Sequence, residues 1–167
     1  MKDMLKQFDI QFGGISAGSH HFEFKIDNSF FESFDYTDFD SCDLSIDVML
    51  EKQERMLIFD IAIHGNVAVP CDRCLDIVNI PVKSQQQLIV KLANSFLDEG
   101  DDIVCLPERE SNFDLSNYIY EYVLLSLPTQ RVHRIEECNK DMIKRIEELK
   151  EEKSNDTSIW ADLKKIK

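Results

Sequence analysis

The sequence predicts an α+β fold, with a largely antiparallel sheet from the N-terminal two-thirds of the chain and C-terminal helices packed on it. Alternating apolar and polar residues, which are typical of half-buried strands, recur through the first two-thirds of the 167 residues. In the last third, helical periodicity and helix start and stop signals replace this alternation. Strands followed by helices indicate one α+β domain, which we place at residues 1–153, before a polar linker and a short amphipathic segment at 154–167.

Three N-terminal strands are predicted from alternation with a period of two. Apolar side chains alternate over residues 22–26, 44–50 and 55–64. The polar residues 51–54 between the last two runs suit a short reversal, so these runs indicate an antiparallel hairpin. The aromatic segment 28–36 suits either a short helix or an ordered loop.

Three further short strands continue this pattern as a meander, at residues 67–69, 77–82 and 88–92, and a short apolar run follows at 103–106 after an acidic loop. The first two flank a tight turn that contains Cys71 and Cys74. The polar residues 84–87 separate the second strand from the third. Pro107 closes the last run, which we expect to be an edge or terminal strand.

Two helices are predicted in the last third of the chain. Asp114 can cap the first, and Pro128 ends it after Leu127 because proline cannot continue the backbone hydrogen bonds of a helix. We expect this helix to be buried on one side. Asn139 can cap the second helix, which has an apolar stripe over residues 142–149 and a solvated opposite face.

The composition favours a folded protein of the cytoplasm. Apolar residues make up 43% of the chain and aromatic residues 10%, which is enough to fill a packed interior. No stretch approaches the roughly 18 apolar residues of a membrane-spanning helix. Residues 1–6 lack the apolar run of a secretory signal, so we expect neither export nor a membrane partner. The five cysteines, an odd number, indicate reduced thiols rather than disulfides.

The net charge of −13 argues against nucleic-acid binding, because contacts to phosphate depend on lysine and arginine. The negative charge is concentrated in two acidic blocks. Residues 27–60 carry ten acidic and two basic side chains, and residues 98–114 carry seven acidic and one basic. The rest of the chain is therefore net +1, and a near-neutral surface there is compatible with RNA contact. The alternative is that the acidic residues only keep a small protein in solution.

Cys71 and Cys74 have the spacing with which two thiolates reach one tetrahedral zinc ion. A closed structural site needs four nitrogen or sulfur ligands, and His133 and Cys138 are the only plausible later donors. We regard this ligand set as incomplete. We therefore predict no metal site and no cofactor, with zinc disfavoured. A redox pair and a turn held for its shape are the alternatives.

No arrangement of residues indicates catalysis. The chain has five glycines, without a phosphate-binding glycine loop or a serine in a nucleophile elbow. His20 and His21 are adjacent on a predicted strand, so their rings point to opposite faces and cannot converge on one ion. We therefore expect a protein without enzymatic activity.

Two segments carry a resemblance to a known family. The segment 69–81 contains a hairpin signature of cysteine, any residue, arginine, cysteine and leucine, at Cys71, Arg73, Cys74 and Leu75. The second segment is the predicted helix, whose matching positions are Asp114, Leu115, Glu121, Leu124, Leu125, Leu127 and Pro128. In this order and at this separation, the segments resemble the YceD-like family of large-ribosomal-RNA-subunit accumulation proteins. The resemblance extends over about residues 57–166.

The resemblance implies a role in the maturation or accumulation of large-subunit ribosomal RNA in the bacterial cytoplasm, without catalytic residues. Many relatives carry cysteines after the helix that could complete a four-cysteine zinc site. This sequence keeps only Cys138 in that region, after Arg131-Val-His-Arg134. Near the end, Thr157 and Ser158 replace the usual proline and arginine. These departures weaken the implied zinc site and alter the closing segment.

Two functional hypotheses follow. In the first, a ribosome biogenesis factor contacts ribosomal RNA or a pre-ribosomal particle through Arg73, Arg131 and Arg134, because guanidinium groups suit phosphate pairing and base stacking. In the second, an acidic adaptor binds a basic ribosomal protein through the two acidic blocks, with Trp160 as an anchor and no direct RNA contact. The alternative role of the three arginines is local, in the turn and in ion pairs with nearby acids.

Overall fold

The computed structural model describes residues 5–93 and 103–155, with side chains up to Lys150. Its strands are β1 (Asp9–Ile10), β2 (Gly18–Ile26), β3 (Ser41–Lys52), β4 (Met56–Pro70), β5 (Ile77–Leu92), β6 (Ile103–Leu106) and β7 (Phe113–Asp114). Its α-helices are α1 (Asn28–Glu32), α2 (Ser116–Ser126) and α3 (Lys140–Asn155). These elements confirm the predicted α+β class.

The main sheet has the strand order β2-β3-β4-β5-β6. Its first four strands are antiparallel neighbours, as the meander predicted. β6 instead runs parallel to β5, with Ile103 beside Ile89 and Leu106 beside Leu92. The sheet is therefore mixed, and the prediction of a largely antiparallel sheet is correct for β2 to β5 but wrong for this edge. The alternation of side chains does not report strand direction, because direction depends on the path of the connection between strands.

β4 and β5 are each one continuous strand where the sequence pattern predicted two. In β5, the polar residues 84–87 do not interrupt the strand, because its pairing with β4 continues through them. Hydrogen bonds between the backbones of neighbouring strands do not require apolar side chains where those side chains can reach water. Gln87 also donates a hydrogen bond of 2.8 Å to the Asp60 carboxylate on β4.

The two faces of the main sheet differ in what covers them. One face forms the core, and its most deeply buried side chains from β3 and β4 are Leu44, Ile46, Val48, Leu50, Leu57, Phe59, Ile61, Ile63, Val67 and Val69. α2 packs on this face against β5 and buries Ile119 and Val123. The opposite face, which we call the open face, carries the alternate and more polar positions, among them Asp43, Asp47 and Asp60.

The aromatic segment 28–36 closes one side of the core. Asp27 caps α1 by accepting a hydrogen bond from the Ser29 amide at 3.0 Å, and both phenylalanines of α1 are buried. Beyond the helix, Phe34 stacks on Tyr120 of α2, with the ring centroids 4.5 Å apart. Of the two structures that the sequence allowed here, the short helix is the one that forms.

α2 begins and ends close to the positions that the sequence indicated. Asp114 accepts a hydrogen bond from the Ser116 amide at 2.8 Å, just ahead of the helix. The helix ends two residues before Pro128. β7 pairs with β1, which the sequence pattern did not indicate. Beside this pair, the Leu115 amide donates a hydrogen bond to the Phe8 carbonyl. The N-terminal segment therefore holds the start of α2 in place.

The start of α3 packs on the core. Asn139 caps it by accepting hydrogen bonds from the Asp141 amide at 3.1 Å and the Met142 amide at 3.4 Å, which confirms the predicted cap. Met142 and Ile143 pack against the core, whereas Leu149 is 60% exposed. The apolar stripe predicted for this helix is therefore solvated towards its end.

The amphipathic segment predicted near the end of the chain lies outside the described residues. The domain boundary predicted between residues 153 and 154 stays a prediction. Within the described part of the chain, none of the helices is both long and apolar enough to cross a membrane.

Candidate metal centre and arginine surface

The turn between β4 and β5 carries the paired cysteines. The Cys71 amide donates to the Asp76 carbonyl, and the Cys71 carbonyl accepts from the Leu75 amide, both at 2.9 Å. Leu75 has a φ of +66°, so the chain reverses directly after Cys74. Both cysteine side chains are buried.

The loop after α2 folds back onto this turn. The Asp72 amide donates to the Arg131 carbonyl at 2.8 Å, and the Asp72 carboxylate accepts from the Arg131 amide at 2.7 Å. The Arg131 guanidinium lies 3.6 Å from the same carboxylate. These contacts hold the loop that carries His133 and Cys138 beside the paired cysteines.

Cys71, Cys74, His133 and Cys138 converge, with one donor atom from each within 4.8 Å of the others. The Cys74 Sγ and His133 Nδ1 are 3.5 Å apart. Sulfur and nitrogen ligands of a tetrahedral zinc ion with ordinary bond lengths are separated by ~3.6 Å. His133 Nε2 lies 3.0 Å from the Ile77 carbonyl. A hydrogen bond donated there leaves the lone pair on Nδ1, the atom that faces the sulfur, as in other metal-binding histidines.

The groups around Cys71 favour the thiolate form of its side chain. Burial by itself raises the pKa of the Cys71 thiol, but hydrogen bonds from the amides of Cys74, His133 and Arg73 and from the His133 ring lower that pKa to about 6. The pKa of His133 is raised, first of all by the hydrogen bond that its protonated ring donates to Cys71; the ring becomes a metal ligand on losing this proton from Nδ1. Thiolate is the form of cysteine that binds metals, so Cys71 is ready to do so near neutral pH. Burial raises the pKa of Cys42 to about 12, so that thiol stays protonated.

The sequence was interpreted as an incomplete set of metal ligands, and the structure brings four candidate donors together. That interpretation was based on the lack of a second cysteine pair after the helix. One histidine and one cysteine, His133 and Cys138, supply the third and fourth donors, because the loop after Pro128 reverses onto the cysteine turn. The four residues therefore fit a structural zinc ion, for which a closed set of sulfur and nitrogen ligands is typical. The signal available in the sequence was the short spacing between His133 and Cys138, which places both donors in one loop.

Arg73, Arg131 and Arg134 form what we call the arginine surface, beside this centre. Arg73 Nη1 lies 3.5 Å from the Cys138 sulfur, and Arg131 is engaged with Asp72. Arg134 is exposed and takes part in no ion pair with another described residue. Two of the three arginines therefore support the centre itself, whereas Arg134 is exposed to solvent. Contact of these arginines with RNA stays a prediction.

Exposed apolar side chains and a carboxylate border the arginine surface. Leu75, Ile77 and Ile135 are 68%, 43% and 60% exposed. Asp38, from the first acidic block, lines a hollow of about 300 Å³ together with Leu75 and Arg131. One carboxylate of the first acidic block is thus a neighbour of the arginine surface in space, although the two are far apart in the sequence.

The remaining motif residues lie along α2. Asp114 and Pro128 delimit the helix, as described above. Glu121 is exposed in the middle of the helix, and it adds to the effect of burial in raising the pKa of Tyr118. These residues place the helix, and through it the loop that reaches the cysteine turn.

Comparison with known families places this centre in context. The family model described as "Large ribosomal RNA subunit accumulation protein YceD" matches residues 59–167. The chain belongs to the YceD family. The matched region begins within β4 and includes the cysteine turn, α2 and the loop with His133 and Cys138, so the candidate centre lies wholly within the YceD region. The YceD description links the chain to the accumulation of large-subunit ribosomal RNA. Neither the curated proteins nor the solved structures yielded a match.

Proposed function

We propose that this chain is a non-enzymatic factor of ribosome biogenesis, which supports the accumulation of large-subunit ribosomal RNA in the cytoplasm by binding that RNA or its precursor particle. The YceD family description supports the link to large-subunit RNA. The convergence of Cys71, Cys74, His133 and Cys138 beneath an exposed surface is the observation that carries the proposal. A closed set of four ligands organises a surface, whereas a catalytic zinc ion keeps a position open for substrate.

In this proposal, a zinc ion bound by the four residues holds the loop after α2 against the cysteine turn. Three thiolates and a neutral imidazole around Zn²⁺ leave one net negative charge. Arg73, whose Nη1 is 3.5 Å from the Cys138 sulfur, offsets part of that charge. Arg73 then has a structural role, and Arg134 is the arginine that contacts the ligand, next to the exposed Leu75 and Ile135.

Elemental analysis of tag-free protein, purified without chelator, tests the zinc ion. We expect one zinc per chain in the wild type and loss of most of it in Cys138→Ser. Cys105→Ser is the matched control, because Cys105 lies in β6 and is not among the four donors. Substoichiometric zinc in the wild type, or equal zinc in the two variants, would contradict the metal centre.

Crosslinking in cells, followed by recovery of bound RNA, tests the contact with RNA. Arg134→Gln should lower the recovery of large-subunit RNA about tenfold, the effect of losing a charge-assisted hydrogen bond of ~1.5 kcal/mol. Arg55→Gln is the matched control, since it removes the same charge from the exposed turn between β3 and β4, at the other end of β4. Equal recovery from the two variants would exclude Arg134 as an RNA contact.

One observation favours a second candidate function, that of an acidic adaptor for a basic ribosomal protein. Asp38 borders the same hollow as Arg131, and its neighbours with exposed carboxylates are Glu32, Asp35, Asp40 and Asp43. Exposed charge of one sign attracts a partner of the opposite sign. Protein crosslinks that are lost in Asp38→Asn with Asp40→Asn, together with RNA recovery that is unaffected by Arg134→Gln, would support the adaptor.

A further inference from the structure

A second group of metal-binding side chains lies on the open face of the sheet, on strands distinct from the cysteine turn. His21 and Glu23 belong to β2, Asp47 to β3 and His64 to β4. Residues two positions apart on a strand share a face, and Glu23 is directly opposite Asp47 in the register. His64 is directly opposite Ser45, which places it diagonally across from Asp47. Asp47 therefore stands between the two histidines.

The distances show that these side chains converge. His21 Nε2 is 3.4 Å from Asp47 Oδ1, and His21 Nδ1 is 3.7 Å from Glu23 Oε1. One donor atom from each of these three residues lies within 4.8 Å of the others. For nitrogen and oxygen ligands at 2.0–2.2 Å from a tetrahedral ion, neighbouring donors are ~3.4 Å apart. Because the two ring nitrogens of His21 face different carboxylates, a cation bound through one of these nitrogens requires the other carboxylate to turn towards it.

The charges of the group are unfavourable without a cation. Glu23 and Asp47 are carboxylates directly opposite each other on neighbouring strands, an arrangement that destabilises a sheet. Among the described residues, the ion pairs of these carboxylates involve the imidazoles of His21 and His64 rather than a lysine or arginine. A divalent cation bound between these carboxylates would offset their two negative charges.

His64 is placed to orient a ligand rather than to act as one. Its Nδ1 lies 3.5 Å from Asp47 Oδ2, while His21 faces the other oxygen of the same carboxylate. A group that hydrogen-bonds the second oxygen of a metal-binding carboxylate fixes the orientation of that carboxylate. Residues that contact the metal ligands have this role in known metal sites.

We propose that His21, Glu23 and Asp47 bind a divalent cation of the zinc or nickel type on the open face, with His64 as a positioning residue. One imidazole and two carboxylates suit these ions, and the absence of thiolate from this donor set distinguishes it from the cysteine centre. The exposure of the site leaves the other coordination positions to water. The bound cation joins the edge strand β2 to β3.

Calorimetric titration of the purified full chain with Zn²⁺, in excess Mg²⁺ to occupy non-specific carboxylate sites, tests this proposal. We expect one binding event per chain that is weakened at least tenfold by His21→Ala and by Asp47→Asn. His64→Ala should weaken the same event about tenfold, the usual effect of removing an outer partner. The variants show which binding event belongs to the site on the open face. The result therefore does not depend on whether the cysteine centre already holds zinc.

Two neighbouring residues provide matched controls. His20 is adjacent to His21, but its ring faces the Ser16 carbonyl at 2.8 Å, so His20→Ala should leave the event unchanged. Asp43→Asn removes a carboxylate from the same open face outside the group and should also have no effect. In the wild-type protein, Zn²⁺ should shift the NMR signals of the His21 ring and leave those of His20 in place. The absence of this shift, or a binding event that survives both His21→Ala and Asp47→Asn, would overturn the proposal.

Discussion

At the scale of single residues, two positions in the β4–β5 hairpin have a backbone that L-amino acids rarely adopt. Gly65 has a φ of +146° and Leu75 a φ of +66°. At Gly65 the reason is space, because a Cβ would overlap the Asp43 carbonyl oxygen of the neighbouring strand. At Leu75 the side chain is 68% exposed, so burial within the described chain does not offset the strain. An exposed apolar side chain on a strained backbone is typical of a contact surface.

Gly65→Ala should destabilise the protein by about 3 kcal/mol, since both the strained φ and the overlap with β3 must be relieved. Chemical denaturation followed by circular dichroism measures the free energy of unfolding. Gly14→Ala is the matched control, because a Cβ there meets no described atom within 4 Å. Equal stabilities of the two variants would show that β4 does not approach β3 as described.

Leu75→Gly should leave the free energy of unfolding unchanged or raise it by up to about 1 kcal/mol, because glycine adopts positive φ without strain. The same variant should lower the recovery of large-subunit precursors in crosslinking, since it removes an exposed apolar contact. Leu125→Ala changes another exposed leucine, on α2, and should not lower that recovery. A Leu75→Gly protein that unfolds would instead assign the side chain to the core.

At the scale of elements, the cysteine turn and the loop after α2 depend on each other. The loop between α2 and α3 is joined to the turn by the contacts between Asp72 and Arg131 and by the four donors. The main sheet has its own core in β3, β4 and β5, which these contacts do not supply. A metal bound to the native state alone stabilises that state according to its concentration and affinity.

Removal of metal with a chelator should therefore loosen the loop at residues 128–139 and spare the sheet. We expect a fall in the thermal midpoint of about 5 °C or more, the effect of losing ~2 kcal/mol in a protein of this size. Hydrogen exchange should increase in the loop and the cysteine turn while β3 and β4 stay protected. Readdition of zinc should reverse both changes, and a chelator without effect on a zinc-containing protein would contradict the assignment of the ligands.

At the scale of the whole molecule, the described core draws on residues that precede α3. Every buried apolar residue of the described chain lies between Phe8 and Cys138. In the sequence, Trp160 belongs to an amphipathic segment behind a polar linker, outside the described residues. Such a segment can anchor an interface by burying its tryptophan in a partner.

Deletion of residues 157–167 should leave the thermal midpoint within about 2 °C of the wild type, because it removes nothing from the described core. The deletion should weaken association with large-subunit precursors, measured by co-sedimentation from cell extracts. Trp160→Ala in the full-length chain should reproduce the loss of association. An unfolded deletion variant would place this segment in the core.

The sequence by itself determined the α+β class, the meander and both main helices. Alternation and capping signals are local, so Asp114 and Asn139 could be recognised as helix-start residues from their neighbours alone. The family was also visible in the sequence, because Cys71, Cys74 and the helix after Asp114 keep their order and spacing.

Tertiary structure alone decided the parallel edge, the convergence of the four candidate donors and the carboxylate beside the arginines. β6 pairs in parallel with β5, and side-chain alternation does not encode strand direction. His133 and Cys138 reach the cysteine turn because the loop after α2 reverses, and the same folding brings Asp38 close to Arg131. Likewise, Asp47 meets two histidines only through the register of three strands. The spacing of two residues in the sequence gives their distance in space only when both lie in one helix or strand. Donors from different helices, strands and loops meet only through the packing of the whole fold.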